Sequence, residues 1–197
     1  MQRSRSVLPL VGTYVWIITK TPMQTIKDLA NWNSFLTTFP DAHLLQTRQW
    51  AQVKSKVGWQ PVYGIWGPPS RPEAAALILM RTVSLGGFSA RLKVIYIPKG
   101  PLLRDWSDVD LRHRVLSDLI EFSRKERAIF LKIDPDVPLG RGIPDTLEGV
   151  EDPLGTAVLE DMSARGFQYS DEQIQFRNTV LIDLLPDEDQ LLARMKQ

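Results

Sequence analysis

One lysine in this sequence lies inside the apolar stripe of a short predicted helix, within the segment HLLQTRQWAQVKSKVGW (residues 43–59). At about 100° per residue, Lys54 lies roughly 40° from Trp50, whereas Lys56 points away from the stripe and is expected to be solvated. The other stripe residues are Val53 and Val57. A buried ammonium group needs either an anion or a path along its own stem to water. Lys54 and Trp50 therefore predict an anion site, and the alternative is a lysine that only reaches solvent.

Two acidic side chains follow a later strand. Asp134 and Asp136 flank Pro135 where the apolar run AIFLKID ends. Open α/β sheets bind ligands at the carboxyl ends of their strands, so both are candidate ligand-binding acids. Asp-Pro-Asp is also a common way to begin a turn, which is the alternative interpretation.

The turn in YIPKGPLL combines a cation with a glycine. Lys99 and Gly100 stand between Pro98 and Pro101, directly after a predicted strand. A backbone that can approach closely, next to a lysine, could bind a phosphate or a carboxylate. The requirements of a turn would also explain the proline and the glycine.

The sequence predicts no catalytic residue, metal site or cofactor site. It has no cysteine, and its two histidines, His43 and His113, do not have the spacing of metal ligands. The phosphate-binding patterns GxxxxGK[ST] and GxGxxG are both absent. The basic residues of the longest predicted helix alternate with acidic ones, which indicates a solvated face rather than a nucleic-acid surface.

The composition and periodicity predict one soluble α/β domain with a mixed sheet. The 197 residues are 43% hydrophobic and 24% charged, with a formal net charge of +1. The expected order is helix, helix, antiparallel meander, helix, strand, helix, strand. Within it we expect a first helix from Thr25, a long helix capped by Ser107, and a central strand over residues 128–134. A further helix over residues 154–165 should end at Gly166.

Both ends of the chain have unusual patterns. Residues 1–22 contain an apolar run that is too short to cross a bilayer and is not followed by a cleavage site. They are expected to be an N-terminal extension, either a first strand or residues from an upstream start codon. The last helix begins near Asp187 and reaches Gln197 without a C-terminal signal, which predicts a truncated helix.

Four segments, in this order, resemble one family: HLLQTRQWAQVKSKVGW, YIPKGPLL, FLKIDPDV and QIQFRNTVLIDLLPDEDQLLARMK. They resemble the first domain of the Fem (FemABX) aminoacyltransferases of peptidoglycan synthesis. The resemblance implies an acetyltransferase-like (GNAT-type) α/β fold over residues 23–197, with helices on both faces of a mixed sheet. It also implies a tandem second domain beyond these residues, and a contact between Lys54 and the precursor.

The resemblance further implies an activity. Fem enzymes transfer amino acids from aminoacyl-tRNA to the stem peptide of a UDP-linked or lipid-linked muropeptide, and the reaction builds the interpeptide bridge of the cell wall. No cofactor is implied. The expected location is the cytoplasm, with peripheral contact at the inner face of the membrane.

Two other functions remain open from the sequence. A truncated domain could bind the precursor without catalysing transfer. An acyl-CoA-dependent N-acyltransferase could share the fold, although the chain lacks the glycine-rich R/Q-x-x-G-x-G/A pattern that such an enzyme uses for the pyrophosphate.

Overall fold

The computed structural model describes residues 22–26, 30–84, 91–143, 146–172, 174–176, 178–179 and 183–195. Residues 1–21, most of the predicted extension, lie outside the described residues. The chain divides into two compact units, Met1–Pro138 and Leu139–Gln197. None of the helices in the described ranges is both long and apolar enough to span a bilayer.

The first unit contains a sheet with helices on both faces. Its elements are β1 (Gln24–Ile26), α1 (Trp32–Leu36), a 3₁₀ turn (Leu44–Gln46), α2 (Arg48–Lys56), β2 (Gln60–Trp66), β3 (Ala74–Ser84), β4 (Arg91–Ile97), β5 (Leu102–Leu103), α3 (Val109–Lys125) and β6 (Ala128–Ile133). The sheet order is β1-β2-β3-β4-β6, and β5 pairs with β3. All pairs are antiparallel except β4 with β6, so the sheet is mixed as predicted.

The two faces of the sheet are buried by different helices. On one face α1 and α2 cover β2 and β3, with Trp32 and Leu36 packed against Tyr63 and Leu77. On the other face the indole N–H of Trp66 donates to Asp118 of α3 at 2.8 Å. The alternation of side chains along each strand explains why neighbouring residues of β2 serve opposite layers.

Two local predictions are wrong. Thr25 lies in β1, and α1 begins only at Trp32, because Gln24–Ile26 pairs with β2. Asp108, not Ser107, caps α3, since its carboxylate accepts from the backbone N–H of Leu111 at 2.9 Å. The Ser107 hydroxyl instead donates to Asp105 at 2.6 Å.

The strand predicted to be central is the last strand of the described sheet. β6 pairs with β4 in parallel, and within the described residues no strand covers its other edge. Ile129 and Phe130 are about half exposed. An apolar run alone does not show whether a second neighbouring strand is present.

The second unit contains a short strand pair and two helices. β7 (Gly140–Arg141) pairs with β8 (Val150–Glu151), and α4 (Pro153–Ala164) and α5 (Glu188–Met195) follow. Gly166 has a φ of +85° directly after α4, which confirms the predicted helix stop. The last predicted strand falls partly on residues 180–182, which lie outside the described residues.

Candidate functional site

Helix α2 positions the lysine that the sequence singled out. The Thr47 hydroxyl caps the helix by accepting from the backbone N–H of Trp50 at 3.3 Å. Lys54 follows Trp50 by four residues, and its ammonium lies 4.8 Å from the centroid of that ring. Lys54 is half-buried and Lys56 is exposed, as the helical spacing predicts.

The apolar stripe around Lys54 is less buried than predicted. Val53 and Val57 are 51% and 57% exposed, because α2 contacts the sheet through Ala51, which is 1% exposed. Ala51 lies about 160° around the helix from Val53. Only Trp50 and Trp59 of this segment pack against the core from the side, so Lys54 borders the core rather than entering it.

Lys54 is electrostatically unpaired within the described parts of the chain. Its ammonium contacts the Trp50 ring and forms no ion pair with a described carboxylate. A lysine held over an aromatic ring keeps donors free on the side away from the ring. This geometry allows Lys54 to bind an anion.

Aromatic contacts lead from α2 across the sheet. The backbone N–H of Trp59 donates to the carbonyl of Lys54 at 3.1 Å, and the Arg81 guanidinium lies 5.9 Å from the centroid of the Trp59 ring. The Trp59 and Tyr96 rings are 6.5 Å apart. The Tyr96 hydroxyl donates to Asp134 at 2.8 Å. The helix and the acidic residues therefore border one continuous face of the sheet.

The turn after β4 brings three predicted residues together. Lys99 adopts a φ of +47°, a left-handed conformation that is uncommon outside glycine. Its backbone N–H donates to Asp134 at 2.5 Å, and its ammonium donates to Asp136 at 2.8 Å. Lys99, Asp134 and Asp136 thus form one network in which the lysine is already paired.

Gln46 completes this network, and the sequence analysis missed it. Its side chain is fully buried, donates to the Pro98 carbonyl at 2.5 Å and accepts from the Leu77 N–H at 2.6 Å. A Cβ at Gly100 would lie 2.7 Å from the Gln46 amide nitrogen. Glycine is therefore required here for space. A single glutamine next to two leucines gives no periodic signal of burial.

Burial and local charges shift the pKa values of three titrating groups near the turn. Burial raises the pKa of Asp134, and hydrogen bonds from Tyr96 and from the Lys99 backbone partly oppose this. Burial also raises the pKa of Asp41, with a further contribution from the charge of Asp136. Burial lowers the pKa of His43, whose Nδ1 accepts from the Leu45 N–H at 3.1 Å.

A separate hollow at the start of α3 contains none of the predicted site residues. Two of the three arginines that line it have protein partners: Arg114 pairs with Glu73, and Arg104 donates to the carbonyls of Pro72 and Thr38. These contacts give the arginines a role in joining β3, β5 and α3.

Comparison with known proteins identifies what this fold resembles. The sequence model of the FemAB family matches residues 27–197. Lipid II:glycine glycyltransferase from Staphylococcus aureus is 26% identical over 167 residues, which cover 81% of this chain and 35% of that protein. The chain therefore spans about a third of the length of the curated relatives that it matches.

One solved structure shows a similar architecture. The crystal structure of FemX matches with a TM-score of 0.54 and 24% identity, covering 74% of this chain and 32% of that one. An aminoglycoside N-acetyltransferase matches with a TM-score of 0.42 and 11% identity, over 80% of this chain and 99% of that one. The FemX match, with the mixed sheet described above, confirms the predicted α/β fold.

Proposed function

Because this chain belongs to the FemAB family, we propose that it takes part in aminoacyl transfer to the stem peptide of a peptidoglycan precursor. The name of the glycyltransferase relative supports a transfer to such a precursor. Aminoacyl-tRNA is the proposed donor, and the proposed place of reaction is the cytoplasmic side of the membrane.

The observation that carries this proposal is the free ammonium of Lys54. A muropeptide precursor has a pyrophosphate between its sugar and its carrier, and a lysine binds phosphate as a point charge. The Trp50 ring limits the positions that the Lys54 ammonium can take. Lys54 therefore binds the pyrophosphate, and the Trp50 ring positions the Lys54 ammonium.

Lys99 and Gly100 have a different role in this proposal. Lys99 is neutralised by Asp136, and Gly100 packs against Gln46, so the turn shapes the wall of the substrate-binding face. Both carboxylate oxygens of Asp134 already accept hydrogen bonds, from Tyr96 and from Lys99. Asp136 is half exposed, and its carboxylate pairs with the Lys99 ammonium at 2.8 Å.

The chemistry is compatible with a site that lacks a nucleophile and base pair. Transfer from an ester to an amine is downhill, so an enzyme can accelerate it by orienting the reactants and stabilising the developing oxyanion. We therefore name no catalytic residue in this chain.

Calorimetric titration with a UDP-linked muropeptide tests the role of Lys54. Lys54→Ala should weaken binding about tenfold, which corresponds to about 1.4 kcal/mol. Lys56→Ala, the matched control on the exposed side of α2, should change the Kd by less than about twofold. Both variants should unfold at the same urea concentration as the parent, because neither lysine pairs with a carboxylate in the part of the chain that the structure describes. Equal losses of affinity in the two variants would reject the assignment.

A further inference from the structure

Positive charge is concentrated in one part of this nearly neutral chain. Residues 42–104 contain nine lysines and arginines and a single acidic residue, Glu73, whereas residues 105–197 contain eleven basic and twenty acidic residues. The basic part contains α2 and strands β2 to β5. Those elements form the face that carries Lys54.

Several cations of this segment are already used within the protein. Lys93 pairs with Glu126, Lys99 pairs with Asp136, and Arg104 donates to backbone carbonyls. Glu73 lies directly before β3, at the opposite end of that strand from Arg81, and pairs with Arg114.

Four cations of this segment have no ion-pair partner within the described residues: Lys54, Lys56, Arg71 and Arg81. Arg71 lies before β3, at the opposite end of that strand from Arg81, and lines the hollow at the start of α3. Lys54 and Arg81 lie over the rings of Trp50 and Trp59, and Lys56 is exposed. The end of α2 and the end of β3 therefore present positive charge to solvent without a compensating acid among the described residues.

Exposed valines lie among these cations. Val53 and Val57 on the free side of α2 are 51% and 57% exposed, and Val83 near the end of β3 is 42% exposed. Trp59 joins the two elements, since it bonds to the Lys54 carbonyl and contacts Arg81. We call the surface formed by Val53, Lys54, Lys56, Val57, Trp59, Arg81 and Val83 the α2–β3 surface.

We propose that the α2–β3 surface docks on an anionic membrane, so that Lys54 meets the pyrophosphate of a lipid-linked acceptor. This inference rests on the proposed function. The pyrophosphate of a lipid-linked precursor lies at the depth of the lipid headgroups, so a lysine that binds it must approach that depth. Exposed valines and unpaired cations are groups that suit an anionic bilayer interface.

The same surface suits single-stranded RNA less well. RNA-binding surfaces stack bases on open aromatic rings. Here the Trp59 ring has Arg81 over it and Trp50 has Lys54 over it, while the exposed side chains between the cations are valines. Valine gains nothing from a phosphate backbone, whereas it gains from contact with acyl chains.

Vesicle co-sedimentation tests the proposal. The purified protein should bind vesicles made of equal parts phosphatidylglycerol and phosphatidylcholine, and should bind phosphatidylcholine vesicles several-fold less. Val57→Asp and Lys56→Gln should each lower the bound fraction on the anionic vesicles at least about threefold, because they remove an apolar contact and a charge.

Matched controls lie elsewhere in the first unit. Val109→Asp changes another half-exposed valine, at the first residue of α3, and Lys125→Gln changes another exposed lysine. Neither should alter vesicle binding. Equal losses in the control variants would overturn the proposal, and so would equal binding of the parent protein to both kinds of vesicle.

The same variants separate this inference from the proposed function. Lys56→Gln should leave the affinity for a soluble UDP-linked muropeptide nearly unchanged while vesicle binding falls. If the parent protein bound anionic vesicles but no muropeptide, the proposed function would fail and the docking surface would stand. If Val57→Asp and Lys56→Gln weakened binding of a tRNA and spared vesicle binding, the surface would be an RNA site and the membrane proposal would be wrong.

Discussion

Lys99 and Lys54 are two lysines beside the same face of the sheet, and their surroundings differ in the number of partners. The Lys99 side chain is 14% exposed, its ammonium pairs with Asp136, and its backbone N–H is bound by Asp134. Lys54 has a ring beneath it and no described carboxylate beside it. A lysine that pairs with a carboxylate of the same protein stabilises the local structure. A lysine without such a carboxylate can still form an ion pair with a ligand.

The two lysines should therefore affect different properties: the Lys99 turn should affect stability, and Lys54 should affect ligand binding. Substitutions in the network around the Lys99 turn should lower the free energy of unfolding, because they leave buried polar groups unpaired. Substitutions at Lys54 should change affinity and leave that free energy nearly unchanged.

Gln46→Ala should have the largest effect on stability. It removes the partners of the buried Leu77 N–H and of the Pro98 carbonyl, and it leaves a cavity where the side chain was. At about 1–3 kcal/mol for each group left unpaired, we expect a loss of about 2–5 kcal/mol in the free energy of unfolding by urea.

Gln49→Ala is the control for this prediction. Gln49 is exposed and accepts one hydrogen bond, from the Asn33 side chain at 2.6 Å. Its removal should cost less than about 0.5 kcal/mol. Similar losses at Gln46 and Gln49 would mean that the turn is not supported from beneath by Gln46.

These residues also show what could be predicted from the sequence. The meander and the contrast between Lys54 and Lys56 follow from local patterns, and the structure confirms them. The contacts of Gln46 could not be predicted, because it bonds to residues 31 and 52 positions away. Non-local pairing also decides that β6 is the last described strand, which its apolar sequence does not reveal.

Gly100→Ala should cost less than Gln46→Ala. The added Cβ would lie 2.7 Å from the Gln46 amide nitrogen and 3.1 Å from Cγ2 of Ile97, so neighbouring atoms must move. Overpacking of this kind costs about 1–3 kcal/mol, measured again by urea unfolding.

A double-mutant cycle identifies the cause of that loss. With Gln46→Ala present, the nearest obstacle to the new Cβ is gone, so Gly100→Ala should cost at least about 0.5 kcal/mol less than it does in the parent. Additive losses would show that Gly100 is needed for a reason other than contact with Gln46.

His43 should make the smallest contribution to stability. This contribution is visible only when the free energy of unfolding is measured as a function of pH. Burial lowers the pKa of His43 below its ordinary value of 6.5, with smaller effects from Asp136, which raises it, and Lys99, which lowers it. The unfolded chain therefore binds the proton more readily. The stability contributed by His43 is fully present above pH 6.5 and falls as the pH drops from 6.5 toward the lowered pKa of the folded state.

His43→Asn should reduce this loss on acidification, because an asparagine oxygen can still accept from the Leu45 N–H and does not titrate. The measurement is the midpoint of urea unfolding of parent and variant across this pH range, with His113→Asn as the control for removing a histidine elsewhere. Asp41 and Asp134 have raised pKa values, so their protonation stabilises the fold as the pH falls toward 3.8, which opposes the effect of His43. The difference between parent and variant therefore isolates His43, and identical pH profiles would show that the imidazole does not couple folding to protonation.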